Sequence, residues 1–416
     1  MVLSSILLST LVVAALAGLT FAFYAFLRAV PRSAIADRDL PLVSVVVPAR
    51  NEETKIRRCL ESLRNQNYPN FEIVVIDDRS TDNTGAIIEE LSRLDTRIKF
   101  VQGKYLPDGW IGKCNALVHA VGYASGEWLI FTDADTCHAT NSIRDSVSYA
   151  ITNKADLVSF VPVQELGSFW ERVVMPVLLG SFLCGDPFHT VNDANSSRAY
   201  AYGQYVLARR SAYRATGGHQ AIRDEIVEDH ALGRLFKSNG HRIMVADGRD
   251  LYTVRMYTNL ETLWQGWTKN IYSLIECRPV NLILVLAMIN CAALVPFLQL
   301  AAVTSLTLSG EPVEHLNRLW ILLALQFGVL IAWYRRTTDH YRGVNLLHFL
   351  LVPLGSLTVT FLYLHSAYLV MAGREVNWKG RRYRVNSSKT IDSGEPSLSP
   401  KLDPALDTAL APKSGE

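Results

Sequence analysis

Asp133 and Asp135 flank a single residue at the end of the apolar run Trp128-Leu129-Ile130-Phe131-Thr132. Alternate side chains of an extended chain share a side, so both carboxylates would fall on one side of the strand end. That spacing suits a hard divalent cation such as Mg²⁺ or Mn²⁺, which normally keeps water and phosphate oxygens as its other ligands. The competing reading is chance, since about one such D-x-D is expected in a chain this long. Position favours the cation, because two uncompensated carboxylates beside a buried strand would repel. A second acidic pair, Asp77-Asp78, closes the apolar run Phe71 to Ile76. One of its carboxylates can accept from a base or ribose donor of a nucleotide. Against this stands a capping role for Asp78 to Asp82 at the next helix, which fits Ser80 and Asp82 best. A third polar cluster, Arg50-Asn51-Glu52, follows Val43-Ser44-Val45-Val46-Val47-Pro48.

These clusters need elements that bring them to one place. Val43 to Pro48 reads as a buried strand, and Glu53 to Gln66 shows helical spacing through Ile56, Leu60 and Leu63. A second helix runs through Ile87, Ile88 and Leu91, a third strand covers Ile98 to Val101, and a helix around Ala116 to Ala124 precedes the fourth strand. This alternation predicts an α/β domain, a mostly parallel sheet with helices on both faces. Ligands of such sheets bind beyond the carboxyl ends of the strands, where all three clusters fall.

The blocks Val46-Val47-Pro48-Ala49-Arg50-Asn51-Glu52, Ile76-Asp77-Asp78-Arg79-Ser80-Thr81-Asp82 and Asp133-Ala134-Asp135 resemble, in order and spacing, the N-terminal blocks of family-2 glycosyltransferases. Leu106 to Leu117, with Gly112-Lys113-Cys114-Asn115, is similar to a segment of their membrane-bound lipid-modifying branch, which includes ceramide glucosyltransferase, hopanoid-associated and carotenoid-modifying enzymes. Gly203-Gln204-Tyr205, Arg209-Arg210, Gly217-Gly218-His219 and Glu228-Asp229 follow in the family's order, so the likeness covers about residues 43 to 275. The resemblance implies a GT-A fold. It puts Asp78 and Glu52 near the nucleoside, Lys113 near the ribose or diphosphate, and Asp133 and Asp135 at a Mg²⁺ or Mn²⁺ ion. It also implies substrate binding by Pro48, Arg50 and Gln204, and makes Asp229 the catalytic base. Glu228 is the rival base, and the Glu228-Asp229 pair also suits a helix start, where the dipole favours acids. A base for the acceptor hydroxyl and positive charge for the departing diphosphate are what glycosyl transfer demands. The family's Q-x-x-R-W block has only a loose counterpart in Trp264-Gln265-Gly266-Trp267-Thr268-Lys269. Gln265, Trp267 and Lys269 are its candidate acceptor-site residues, and the departure argues against a processive polymerase. Arg255, just before it, reads equally as a phosphate ligand or the partner of an acid.

Hydrophobic residues make up 49% of the 416, and the excess sits at the two ends. Lys and Arg total 41 against 39 Asp and Glu, a formal +2, which is too balanced for a nucleic-acid binder. No charged residue occurs from Val2 to Leu27, and Arg28, Arg32 and Arg38 follow. Residues 1–30 therefore read as a transmembrane anchor. A cleavable signal has a shorter apolar region of about 7 to 15 residues, led by positive charge that this sequence lacks. Pro279 to Gly310, Leu319 to Tyr334 and Gly343 to Gly373 predict two or three further spans in 279–373, the middle one short. The basic flank puts a catalytic domain, 41–278, on the cytoplasmic side of a multi-pass protein of the cell (inner) membrane. The parity of the later spans decides the side of the Trp378 to Arg384 segment. Residues 385–416 are too polar to bury a core and predict a disordered tail. Phe169 to Gly185 reads either as an interfacial helix against the headgroups or as an ordinary core helix. The six scattered cysteines suggest packing roles rather than a zinc or disulfide framework.

The expected function is a membrane-bound inverting, metal-dependent transferase that moves a sugar from a nucleotide-diphosphate sugar to a lipid at the bilayer face. A processive polysaccharide synthase and a non-catalytic membrane scaffold keeping the fold are the alternatives.

Overall fold

A computed structural model describes residues 2–25, 27–103, 105–182, 188–310, 315–385 and 390–392. The chain forms two compact units, each interrupted in sequence. One comprises Arg28–Pro162, Thr190–Val254 and Asn377–Glu416, the other Met1–Leu27, Val163–His189 and Arg255–Val376.

The first unit is built on seven strands: β1 (Val43–Ala49), β2 (Phe71–Asp77), β3 (Ile98–Gln102), β4 (Trp128–Thr132), β5 (Leu157–Val161), β6 (Tyr205–Arg209) and β7 (Ile243–Asp247). Their order is β3-β2-β1-β4-β6-β5-β7. All neighbours run parallel except β6, which is antiparallel to β4 and β5. Branched residues dominate β1, and Val43, Val45 and Val47 pack with Cys59, Leu60, Ile88 and Ile143 on one sheet face. Helix Gly112–Val121 packs against β1 and β2, where Leu117 joins Pro48 and Phe131 in lining a small cavity. Register carries the polar clusters to one edge, with Ala49 opposite Asp77 and Val46 opposite Phe131. Because β6 runs backwards, its start meets the end of β4, Thr132 opposite Tyr205, and Gly203-Gln204 arrive at that same edge.

The second unit is helical. Leu3–Phe21, Leu316–Thr338 and Leu346–Met371 are long and apolar enough to cross a membrane. The stretch expected as a span over 279–310 divides into helices Pro279–Ala293 and Val295–Leu308, and Pro279–Ala293 reaches membrane length only together with Leu260–Leu274, across a bend of 118°. Pro296 explains the break, since it has no N–H to continue the first helix's ladder. The stretch expected to be short is instead the 23-residue helix Leu316–Thr338, its last turn carrying Arg335 and Arg336. Phe169–Phe182 buries Val173, Val174, Met175 and Leu178 and packs on helix Val352–Met371; the rest of the stretch expected to Gly185 lies outside the described residues. Arg255 forks onto buried Glu171 at 3.2 and 3.1 Å, the acid-pairing alternative. Polar groups tie the long helices: Ser9 donates to Gln299 Oε1 at 3.0 Å, and Gln326 Nε2 donates to Ser9 at 2.8 Å. The tail expected over 385–416 lies outside the described residues apart from 385 and 390–392. Cys59, Cys114, Cys137, Cys277 and Cys291 are free thiols, and Cys184 lies outside the described residues.

One buried carboxylate knits the sheet together. Glu72 on β2 accepts from Ser44 of β1 at 2.6 Å and from the Ser125 amide and hydroxyl at 2.6 and 2.7 Å, and it pairs with Lys99 of β3 at 2.5 Å. Burial opposes its charge, but Lys99 and the serine donors hold the carboxyl down at about 2. A depressed carboxylate stabilises the fold above its unfolded pKa and loses that contribution as pH falls toward the folded value. Glu72→Gln is therefore expected to cost about 2 kcal/mol near neutrality. The gap in melting temperature from wild type should narrow as pH falls below about 4.5. A gap independent of pH would show that the Glu72 charge contributes nothing.

Candidate functional site

The loops after β1 and β2 hold each other. Asn51 and Arg79 both take left-handed backbone, with φ of 51° and 59°, a conformation unfavourable for most side chains but tolerated by asparagine. The Asn51 amide donates to Ser80 Oγ at 2.9 Å, and Asn51 Oδ1 accepts from the Thr81 amide at 2.9 Å. The Glu52 amide donates to Thr84 Oγ1 at 2.7 Å. Asp82 Oδ1 accepts from the Thr84 amide at 3.0 Å, the local helix-entry role its spacing suggested. Arg50 Nη1 reaches the carbonyls of Asp78 and Arg79 at 2.8 and 2.9 Å, and its Nε reaches that of Lys379 at 3.0 Å. Arg50 is thus spent on backbone, where it fixes the turn carrying Asp78.

Beyond that zipper lie carboxylates and the cations that balance them. Lys113, in the first turn of helix Gly112–Val121, stands 2.7 Å from both Asp133 and Glu228. Burial works against its charge, but the two acids outweigh burial and hold the ammonium well above the usual lysine range. Lys55 lies 3.7 Å from Glu52 and 3.8 Å from Asp135. Asp135 Oδ1 is buried without a hydrogen-bond partner. Burial, with like charge on Glu52 and Asp133, pushes its carboxyl up to about 7. Asp229 accepts from the Gly203 amide at 2.7 Å and from the His230 amide at 2.8 Å. Its carboxyl is also raised, by burial first and by Glu228 second. The cavity lined by Pro48, Lys113, Asp133, Gly203, Glu228 and Asp229 has His219 in its wall. His219 accepts from or donates to Tyr213 at 2.9 Å, and burial holds its pKa down to about 3. A neutral, packed histidine of this kind leaves no periodic signal in the sequence.

Pro48, Arg50, Glu52, Asp78, Lys113, Asp133, Asp135, Gln204, Glu228 and Asp229 are thus gathered at one sheet edge. The Gln204 backbone carbonyl accepts from the Thr132 hydroxyl at 2.8 Å, and its side-chain Oε1 is buried without a hydrogen-bond partner. Gln265, Trp267 and Lys269 belong to the helical unit, on helix Leu260–Leu274. Positions two apart on a helix lie about 200° apart. Gln265 is accordingly exposed and bonds back to Glu261, while Trp267 is buried beside Tyr257 and Phe182. The three do not share a face.

The residues present fit a hard divalent cation. Asp135 offers an unpartnered buried oxygen and a carboxyl raised to about 7, and a cation nearby would relieve both. Among the described residues no group of three or more His, Cys, Asp or Glu side chains has metal-binding geometry.

Residues 44–229 match the family model for glycosyl transferase family 2. The chain is 25% identical over 351 residues to 4,4'-diaponeurosporenoate glycosyltransferase of Staphylococcus aureus strain USA300, across 83% of this chain and 89% of that one. Against the protein of the same description from strain MRSA252 it is 26% identical over 357 residues, with the same coverage. Among solved structures it is similar to the mannosyltransferase PcManGT from Pyrobaculum calidifontis in complex with GDP-Man and Mn²⁺. That likeness has 18% identity and a TM-score of 0.46 and covers 85% of this chain and 99% of the other. The fold class expected from the motifs is the one observed, a parallel-rich α/β sheet with added apolar helices.

Lys113→Met would strip Asp133 and Glu228 of their shared cation and is expected to cost about 2 kcal/mol, since an uncompensated buried charge is expensive. Adding Glu228→Gln should recover part of the loss. Identical melting temperatures for wild type, single and double variants would show that the two acids are balanced by other groups.

Proposed function

We propose that this chain, whose residues 44–229 form a glycosyl transferase family 2 domain, transfers a sugar from a nucleotide-diphosphate sugar to a lipid at the membrane face with inversion at the anomeric carbon. The observation that carries the reading is the convergence of Asp78, Asp133, Asp135, Glu228 and Asp229 at the edge where a parallel-rich sheet binds its ligands. Asp78 and Glu52 accept from the nucleoside, and Lys113 lies toward the ribose or diphosphate. Asp229 takes the proton of the acceptor hydroxyl. The hydroxyl oxygen then bonds to the anomeric carbon, while the bond from that carbon to the diphosphate oxygen breaks and the diphosphate leaves with the electron pair. The raised carboxyl of Asp229 suits it to the task, because burial and Glu228 both make it a stronger base. Asp133 and Asp135 would hold Mg²⁺ or Mn²⁺, which when bound supplies positive charge to the departing diphosphate. Pro48, Arg50 and Gln204 lie at the same sheet edge, and Gln265 and Lys269, four apart and so on one face of their helix, serve the acceptor.

Likeness to the diaponeurosporenoate glycosyltransferases supports an apolar, carotenoid-like acceptor. The three helices long enough to span a bilayer support a multi-pass protein that meets this lipid in the membrane. Arg28, Arg32 and Arg38 after the first helix support a cytoplasmic catalytic domain at the inner membrane.

The test is turnover by the detergent-solubilised full chain on a panel of UDP- and GDP-sugars, with and without Mn²⁺ or Mg²⁺ and lipid extract. Metal- and lipid-dependent transfer is expected, with kcat lowered on the order of 10²- to 10⁴-fold in Asp229→Asn. The metal response should be lost in Asp135→Ala. An unchanged metal response in Asp135→Ala would sink the metal assignment, and turnover indifferent to lipid would sink the acceptor class.

A further inference from the structure

Two carboxylates at the nucleoside end of the pocket receive their nearest cations from a part of the chain some 300 residues away. Arg381 lays its guanidinium across Asp78 as a fork, Nη1 to Oδ2 at 2.7 Å and Nη2 to Oδ1 at 2.8 Å. Both side chains are only 7% exposed. Lys379 pairs with Glu52, and the Lys379 carbonyl accepts from Arg50 Nε at 3.0 Å. The guanidinium also sits against Gly112, where any Cβ would collide with it. Gly112 immediately precedes Lys113, so the absence of a side chain there makes the seat for Arg381. The turn takes left-handed backbone at Lys379 and Gly380, with φ of 49° and 76°; glycine adopts it freely, but left-handed lysine is held only where its surroundings fix it. Here the surroundings are Glu52 and Arg50.

Charge gives this arrangement a purpose. Glu52, Asp78, Asp133, Asp135, Glu228 and Asp229 gather at one edge, and a nucleoside diphosphate brings further negative charge to it. Lys55 and Lys113 are engaged at Glu52, Asp135, Asp133 and Glu228. Lys379 and Arg381 add two positive charges where Asp78 and Glu52 lie. The fork consumes one lone pair on each Asp78 oxygen and leaves one on each for an N–H or O–H of a nucleoside. It also fixes the carboxylate plane, which a single-point lysine contact would not do.

We infer that the turn Lys379–Arg381 belongs to the donor-nucleotide site, with Arg381 as the positioning residue that orients Asp78 for the nucleoside and Lys379 doing the same for Glu52. This rests on the nucleotide-sugar reading above. It is tested by calorimetric binding of UDP and of GDP to the full-length wild type, Arg381→Ala and Arg381→Lys, together with donor KM and kcat. Loss of a charged fork predicts roughly 10- to 100-fold weaker nucleotide binding and a similar rise in donor KM in Arg381→Ala. The change in kcat should be far smaller, with Arg381→Lys intermediate. In an Asp78→Asn background the Arg381→Ala substitution should add little, because its effect passes through Asp78. Matched melting temperatures separate positioning from misfolding, and Arg381→Lys, which keeps the charge, supplies the readout if Arg381→Ala does not fold. Nucleotide affinity unchanged in Arg381→Ala would overturn the inference, and tighter binding would do so too, making the turn a competitor of the donor. A wild-type chain that binds neither UDP nor GDP would overturn the nucleotide-sugar reading along with it.

Discussion

The governing constraint is electrostatic: six carboxylates meet at one edge of a sheet, and the surrounding structure supplies cations and hydrogen-bond donors to them. Like charges in a partly dry site repel strongly, and each must find a cation, a hydrogen-bond donor or a proton. Lys113 serves two acids at once, Arg381 serves Asp78, and Asp229 relies on two backbone amides. Asp135 alone keeps a buried oxygen without a hydrogen-bond partner. The acids differ accordingly: burial raises the carboxyls of Asp135 and Asp229, the two that the proposed function gives a ligand and a proton.

Holding such charges in place falls to short-range backbone devices. The left-handed residues Asn51 and Arg79 turn the chain sharply at the ends of β1 and β2. The side chains of Ser80, Thr84 and Asn51 then stitch the two turns together. Strain in these loops is offset by the buried parallel strands beneath, whose branched residues leave little freedom to slip register.

How much of this was legible in the sequence depended on how local its cause was. Strands β1, β2 and β4 announce themselves as short apolar runs, and the clusters after them follow because parallel strands put their carboxyl ends on one edge. The fold class and the clusters Arg50 to Glu52, Asp77-Asp78 and Asp133 to Asp135 could be placed together on that ground, whereas Pro48, Lys113, Gln204, Glu228 and Asp229 came only with the family resemblance. Strand β6 was not read as an antiparallel member, since Tyr205–Arg209 has no pattern that distinguishes direction. Glu72 carries no local signal of its role, and only tertiary packing shows its three serine hydrogen bonds and its pairing with Lys99. The break at Leu294 was missed because hydropathy averages over Pro296, which acts through a missing N–H rather than through polarity. The spacing of two that joins Gln265, Trp267 and Lys269 sets Trp267 on the opposite side of the helix from the other two. Arg381 lay in a segment read only for its charge, because its pairing with Asp78 spans a sequence separation of 303 that no local rule reaches.

The polar ties of the helical unit carry a consequence for how the chain is made. Ser9 lies in the first helix, yet its partners Gln299 and Gln326 follow 290 and 317 residues later. Its hydroxyl must therefore spend most of synthesis in an apolar helix without them, where an unmet donor is costly. The Ile6 carbonyl, 3.1 Å away within the same helix, gives that hydroxyl a temporary partner. The helix can thus be made alone and wait, and the glutamines that arrive last select its final neighbours. Residue order on the ribosome and packing order in the finished unit are in this way reconciled by one serine with two possible acceptors.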